Sequence, residues 1–336
     1  MVRCRIIYIC YFFLIGIFRS INLDMKVNLE ESQMFKIIKQ LSNAKGALNQ
    51  VDASDILMEV DDGTRRTLQT TILEMYIDVL RVCRKHKIVP YLLAGSALGA
   101  VRHSGFIPWD DDLDIGMTRA AYNKFTQYFE KELSAKYILC APNYKDAKAK
   151  ARFPKILKKG SKLREVLDSK NEELQSVFLD IFIIENAPEN VFVRALKGNL
   201  CNALEFISSQ VFLYENKDDI VEKFYSRVSK ANYRVRLAIG KMFSFLPAWK
   251  WFDFVDSVAQ YRKNSTLCTI ATGREHYFGE ILSKERLFPY QMTQFESIKA
   301  PIFKDIDYYL ENLYGDYMHV PEPDKRERHF LRELEL

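Results

Sequence analysis

Between residues 65 and 88 apolar side chains recur at Leu68, Ile72, Met75, Tyr76, Val79, Leu80 and Cys83. Steps of three and four residues place them on one buried face and predict a helix. Lys85, His86 and Lys87 close it, where cations suit the C-terminal end of a helix dipole, and Pro90 then opens the apolar run VPYLL, read as a strand. AGSALGAVRH reads as a turn feeding a short helix, Gly105 to Pro108 as a loop, and DDLDIGM, by its alternation, as a second strand. Thr118 is positioned to cap the next helix, over TRAAYNKFTQYFEKEL. Further strands are predicted at Tyr137 to Leu139, Arg152 to Leu157 and Val177 to Ile184, the last apolar except for Asp180.

These elements predict a mixed α/β core over residues 65–190, followed over 191–330 by a mainly helical region of the same unit, interrupted at Pro247 and Pro289. The charged C-terminal stretch EPDKRERHFLRELEL is expected at the surface. Residues 25–64 read as a helical or linker region and 1–24 as an apolar N-terminal segment. Its run IIYICYFFLIGIF, flanked by Arg3, Arg5 and Arg19, falls short of the ~20 residues that span a bilayer. Three readings stay open for it: translation that starts at Met25, a membrane-proximal anchor, or a cleaved signal, for which Ser20-Ile21-Asn22 makes a poor cleavage site.

Composition narrows the classes. A chain of 336 residues that is 48% hydrophobic and 13% aromatic can bury a full core, which excludes a disordered scaffold. Forty-nine basic against forty-four acidic residues leave a net charge of +5, without the excess expected of a nucleic-acid binder. The six cysteines are scattered with no Cys-x-x-Cys pair, which predicts reduced thiols and an intracellular setting.

The chemistry concentrates in LLAGSALGAVRHSGFIPWDDDLDIGM, residues 92–117. If DDLDIGM is a strand, Asp110, Asp112 and Asp114 share one face, and their mutual repulsion is relieved by a hard divalent cation such as Mg²⁺ or Mn²⁺. An EF-hand loop fails, because Ile115 stands where its turn needs glycine and Ala121 where it needs glutamate. Gly95 and Ser96, at a strand-to-helix junction, offer free N–H groups to an anion, and Arg102 can clamp a phosphate with two parallel hydrogen bonds. His103 reads equally well as a surface residue. A lone Asp180 in an apolar strand needs a partner, since burying an unpaired carboxylate costs several kcal/mol. In RFPKILKKGSKLR, Lys158, Lys159 and Lys162 read as a solvated face, whereas Lys155 lies within the apolar stretch. Trp249 and Trp251 read as helix packing rather than a sugar platform.

This central segment resembles the signature of the LicD/fukutin family, a branch of the polymerase-β-like nucleotidyltransferase superfamily. The resemblance extends to Val177-Phe178-Leu179-Asp180-Ile181-Phe182, to Lys155 in a Phe-x-Lys-Ile-like pattern, and to Tyr309, Leu310, Tyr314, Gly315, Asp316, Tyr317 and Met318, followed by Pro321 and Pro323 with Glu322 between them as a departure. It covers about residues 65–330 and implies a nucleotidyltransferase-fold core with Asp112, Asp114 and Asp180 as metal-binding and catalytic carboxylates. Gly95, Ser96, Arg102, Asp110 and Lys155 then contact the donor. The implied reaction moves phosphocholine from CDP-choline to a cell-surface glycan such as lipopolysaccharide or teichoic acid, in the cytoplasm at the inner face of the membrane, with peripheral membrane association. Ribitol-phosphate transfer of the fukutin type, a GT-A-like glycosyltransferase and a catalytically inactive glycan-binding protein are the rival readings.

Overall fold

The computed structural model describes residues 57–58, 60–144, 150–326 and 330–336. The expectations for residues 1–24, and those for 25–64 up to residue 56, lie outside the described residues. The predicted first helix is α1, Asp62–Lys85, capped by the Asp61 carboxylate, which accepts from the Thr64 N–H at 3.0 Å; Leu68, Ile72, Met75, Tyr76 and Val79 are buried along it. β1 (Tyr91–Leu92) leads into α2 (Ala94–His103), then β2 (Asp114–Thr118) and α3 (Arg119–Glu132). The Thr118 hydroxyl accepts from the Ala121 N–H, the expected cap. Next come β3 (Tyr137–Cys140), β4 (Lys155–Lys158), β5 (Lys162–Glu165) and the ten-residue β6 (Phe178–Ala187).

The mixed α/β class is borne out. β1, β2, β6, β4 and β3 lie side by side in that order; β2 runs parallel to β6 and the other neighbours are antiparallel. Strand β6 is buried along nearly its whole length, with α1 and α3 packed on the β2–β6 centre of the sheet. A central strand covered on both faces reads as a continuous apolar run, which is why it was legible. The cores of these helices and strands merge in one cluster with Leu92, Leu113, Ile115, Ile156 and Ile181 fully or almost fully buried.

Three long helices follow: α4 (Val191–Asn216), α5 (Asp219–Phe243), kinked at Ser229, and α6 (Ala248–Ala259). Trp251 is buried against Phe252 and Ile207 in this layer, a packing role. The chain then returns to strands that the helical pattern did not announce. β7 (Leu267–Thr269) pairs with the end of β6 and with β8 (Leu282–Ser283), with the single turn α7 (His276–Gly279) between them. After α8 (Lys284–Leu287), β9 (Gln291–Phe295) and β10 (Ile298–Ile302) form a hairpin about Glu296 and Ser297. Beyond α9 (Ile306–Tyr314), β11 (Leu331–Glu335) pairs with β5, so the charged C-terminus contributes a strand in which Leu331 is buried. All described residues belong to one compact unit, Asn49–Leu336.

Candidate functional site

The centre of the sheet sets three charged residues in a row. Asp114 opens β2 and pairs in parallel register with Asp180 on β6, while Lys155 on β4 pairs with Asp180 from the other side. Directly paired residues share a face, so Asp114, Asp180 and Lys155 project together. Lys155 Nζ lies 3.2 Å from Asp180 Oδ1 and 3.6 Å from the centre of the Phe178 ring. Both members of the pair are largely withdrawn from solvent, and among the described residues Asp180 Oδ1 has no hydrogen-bond partner beyond this ion pair. Burial pushes the Asp180 carboxyl up to about 7 against the pull of Lys155, with the charges of Asp112 and Glu165 adding to the rise. Burial opposes the Lys155 ammonium as well, but Asp180, Glu165 and Asp168 outweigh it and hold its pKa above lysine's ordinary value.

The Asp-rich segment departs from the expected strand. Regular pairing begins only at Asp114, so Asp110 and Asp112 belong to the loop before β2 and not to one pleated face. β1 offers just Tyr91 and Leu92 as partners, and the carbonyls of Ile107 and Asp110 are taken at 3.3 and 2.8 Å by the buried Gln69 amide. Alternation survives from Asp112 to Ile115 because Leu113 and Ile115 are fully buried between half-buried acids. From the opposite side, Glu296 accepts from the Phe106 N–H at 3.1 Å and is paired with Arg66 at 2.7 Å. The loop is thus clamped at both ends by side chains far away in sequence.

Gly95 and Ser96 sit inside the first turn of α2 rather than in a turn before it. A Cβ on Gly95 would come within 2.9 Å of Asp110 Oδ2, so the missing side chain lets that carboxylate approach the positive end of the helix. The buried Ser96 hydroxyl accepts from the Asp114 N–H at 2.8 Å and fixes the start of β2. Ala94 holds a left-handed φ of 42°, unusual for a residue with a Cβ, and its N–H donates to the Tyr309 hydroxyl at 3.2 Å. Tyr309 belongs to the tyrosine-rich C-terminal segment, which is thereby brought against α2.

Arg102 lies in the last turn of α2. Its guanidinium donates to the Tyr317 and His319 carbonyls at 2.8 and 3.1 Å and to His103 Nε2 at 3.0 Å, tying the same C-terminal segment to α2. Lys162 pairs with Glu333 and Lys159 donates to the Ser134 carbonyl, as suits a solvated face.

Glu165, Asp168, Gln69 and Glu296 enter the site's surroundings without having been singled out. Only Gln69, a polar residue that interrupts an apolar helix face, left a trace in the pattern. A solvent-open cleft on the opposite face of β6, at odd offsets from Asp180, is lined by Arg119, Arg152, Phe153, Glu185 and Asp256 and holds none of the expected residues.

Asp112, Asp114 and Asp180 are carboxylates, the hard oxygen donors that Mg²⁺ or Mn²⁺ would take. Among the described residues, however, no three His, Cys, Asp or Glu side chains converge as a preformed cage. Two carboxylates plus the oxygens of a bound diphosphate meet the usual requirement of Mg²⁺, which retains substrate or water ligands. Asp112 and Asp114 suit that role, with Asp180 held by Lys155.

Residues 87–212 match the domain described as LicD/FKTN/FKRP, nucleotidyltransferase domain, a span that contains the whole row. Over 287 residues the chain is 24% identical to the lipopolysaccharide cholinephosphotransferase LicD of Haemophilus influenzae, an alignment that covers 80% of this chain and 97% of that protein. Shorter stretches resemble uncharacterized proteins of Rickettsia typhi, 32% identical over 99 residues, and Rickettsia prowazekii, 43% identical over 47. These span 26% and 14% of this chain, and 32% and 18% of the respective relatives.

Proposed function

The chain belongs to the LicD/fukutin family, and from that premise we propose that it transfers phosphocholine from CDP-choline to a cell-surface glycan such as lipopolysaccharide. The observation that carries this reading is the in-register row of Asp114, Asp180 and Lys155 inside the matched domain. Phosphoryl transfer needs positioned groups and charge neutralisation more than covalent help, and the row with its clamped acidic loop offers both.

Asp112 and Asp114 would hold Mg²⁺ or Mn²⁺, which when bound neutralises the donor diphosphate. The first turn of α2 faces the phosphates with its N–H groups, and the Asp110 carboxylate seated against Gly95 sets how near they come. Lys155 keeps Asp180 oriented and adds positive charge beside the transferred phosphate. Asp180 takes the proton from the acceptor hydroxyl as that oxygen bonds to the choline-side phosphorus. The bond from this phosphorus to the bridging oxygen breaks, and cytidine monophosphate leaves with the bridging oxygen.

No described helix is long and apolar enough to cross a membrane. Cys83, Cys201 and Cys268 are buried free thiols, which supports a reducing compartment. We place the reaction in the cytoplasm, at the inner face of the membrane.

Chromatography of the nucleotide released when the protein, Mg²⁺, CDP-choline and acceptor glycan are mixed tests the proposal. Cytidine monophosphate is expected. Cytidine diphosphate would show that the other bond breaks and would favour glycosyl transfer, and acceptor-dependent release from CDP-ribitol alone would move the donor to ribitol phosphate.

A further inference from the structure

Helix α4 carries an apolar stripe whose two halves meet different surroundings. Phe192, Leu196, Leu200, Ala203 and Ile207 follow one another at steps of three or four residues and so share a face. At Ala203 and Ile207 that face is buried, Ile207 against Trp251 and Phe252 of α6. Over the first three turns it is bare. Phe192 is 80% exposed and Leu196 52%, with Val191, Val193 and Leu200 exposed beside them. Five exposed large apolar residues within ten positions form a patch, unlike the singly scattered ones that need no explanation.

The rim of this patch is basic. The loop over residues 260–266 is bound alongside it, because Lys197 Nζ donates to the Gln260 carbonyl at 2.7 Å, Asn186 Nδ2 to the Lys263 carbonyl at 2.9 Å, and the Thr266 N–H to the Glu189 carboxylate at 2.9 Å. Arg262 and Lys263 are exposed in that loop, and half-buried Arg194 lies on α4 itself. The acid beside them, Glu189, is engaged by Thr266.

We propose that the first three turns of α4, with the 260–266 loop, dock on an anionic lipid surface. Aromatic and branched apolar side chains on one helix face, edged by Arg and Lys, are the pattern of an interfacial helix, and each basic residue near anionic headgroups adds attraction. A second copy fits less well. In a two-fold contact the same patch is used by both copies, which would bring two sets of its basic rim, Arg262 and Lys263 included, into one interface. The inference stands independently of the transfer reading, since none of these residues is in the Asp114–Asp180–Lys155 row.

Co-sedimentation of the full chain with phosphatidylglycerol-containing vesicles, and with vesicles of phosphatidylcholine alone, provides the test. The doubly substituted Phe192→Glu/Leu196→Glu protein should lose roughly tenfold or more in partitioning to the anionic vesicles. Arg262→Glu/Lys263→Glu should lose a similar factor at low salt and little at high salt, where screening already removes the attraction. Both changes are at exposed positions, so the melting temperature should hold, as should cytidine monophosphate release with a soluble acceptor. Unchanged partitioning of both variants would overturn the proposal. So would a dimer, seen by sedimentation velocity, that the apolar substitutions dissolve while vesicle binding persists.

Discussion

Gly99 is the point at which the acidic loop folds back on α2, and replacing it with alanine separates two opposing effects. The Gly105 N–H donates to the Gly99 carbonyl, and a Cβ at Gly99 would stand 2.4 Å from the Gly105 carbonyl oxygen and 3.1 Å from the Ile107 nitrogen. Helix propensity alone would favour Gly99→Ala by about 1 kcal/mol. The contact must nevertheless open from 2.4 Å to beyond 3.0 Å, a movement of about 0.6 Å or more, and the obstructing atoms are backbone. Overpacking of this kind costs about 1–3 kcal/mol, so the net change in stability is expected to be a loss of up to about 2 kcal/mol. The loop cannot absorb the shift near Ile107, where Gln69 and Glu296 clamp it, and passes it to the segment carrying Asp110 and Asp112. A displacement approaching 1 Å at reacting groups can cost on the order of 10²-fold in rate, so turnover should fall roughly ten- to a hundredfold while the protein stays folded. Calorimetric melting and nucleotide release on the same sample check both arms. A raised melting temperature with full activity, as propensity alone would give, would refute the reasoning.

Asp112→Asn and Asp114→Asn should each abolish transfer and leave the far-ultraviolet circular dichroism unchanged; near-normal turnover in either would contradict the metal assignment, and Mg²⁺ titration calorimetry would rank them beside Asp180→Asn. Ser96→Ala leaves the Asp114 N–H without its acceptor and should cost about 1–3 kcal/mol in denaturant unfolding. Burial opposes the Glu205 charge, yet Arg152 and then His276, whose Nδ1 lies 2.9 Å away, hold the carboxyl down to about 2 from its ordinary 4.5. Because the folded pKa is depressed, this stabilisation, about 3 kcal/mol, is complete above about pH 4.5 and lost as pH falls toward 2. Arg152→Met should therefore lower the melting temperature by several degrees at pH 7 and by progressively less below pH 4; a gap independent of pH in that range would count against the assignment.

What the sequence disclosed and what it concealed divide along the range of the interactions. The spacing from Leu68 to Leu80 and the Thr118 cap are local, so α1 and the start of α3 were legible, as was β6 from its unbroken apolar run. The family resemblance drew Asp114, Asp180 and Lys155 out of the chain, but the pairing that puts Lys155 and Asp114 on either side of Asp180 depends on register between strands, which periodicity does not encode. The late start of β2 was hidden for a similar reason, since it depends on the Gln69 amide reaching Asp110 and on a two-residue partner strand. The ties of Arg102 to the Tyr317 and His319 carbonyls were not legible, because those residues lie more than two hundred positions along the chain. The hairpin over Gln291–Ile302 escaped because it follows a long helical region, and its alternation is short.

Whether phosphocholine moves as a unit at the Asp114–Asp180–Lys155 row is read from a doubly labelled donor. CDP-choline carrying one isotope in choline and another in the choline-side phosphorus is incubated with Mg²⁺, acceptor glycan and either the native chain or Asp114→Asn. The account predicts both labels on the glycan in equal amounts with the native chain and neither with the variant. Choline transferred without its phosphorus, or equal labelling by the variant, would contradict it.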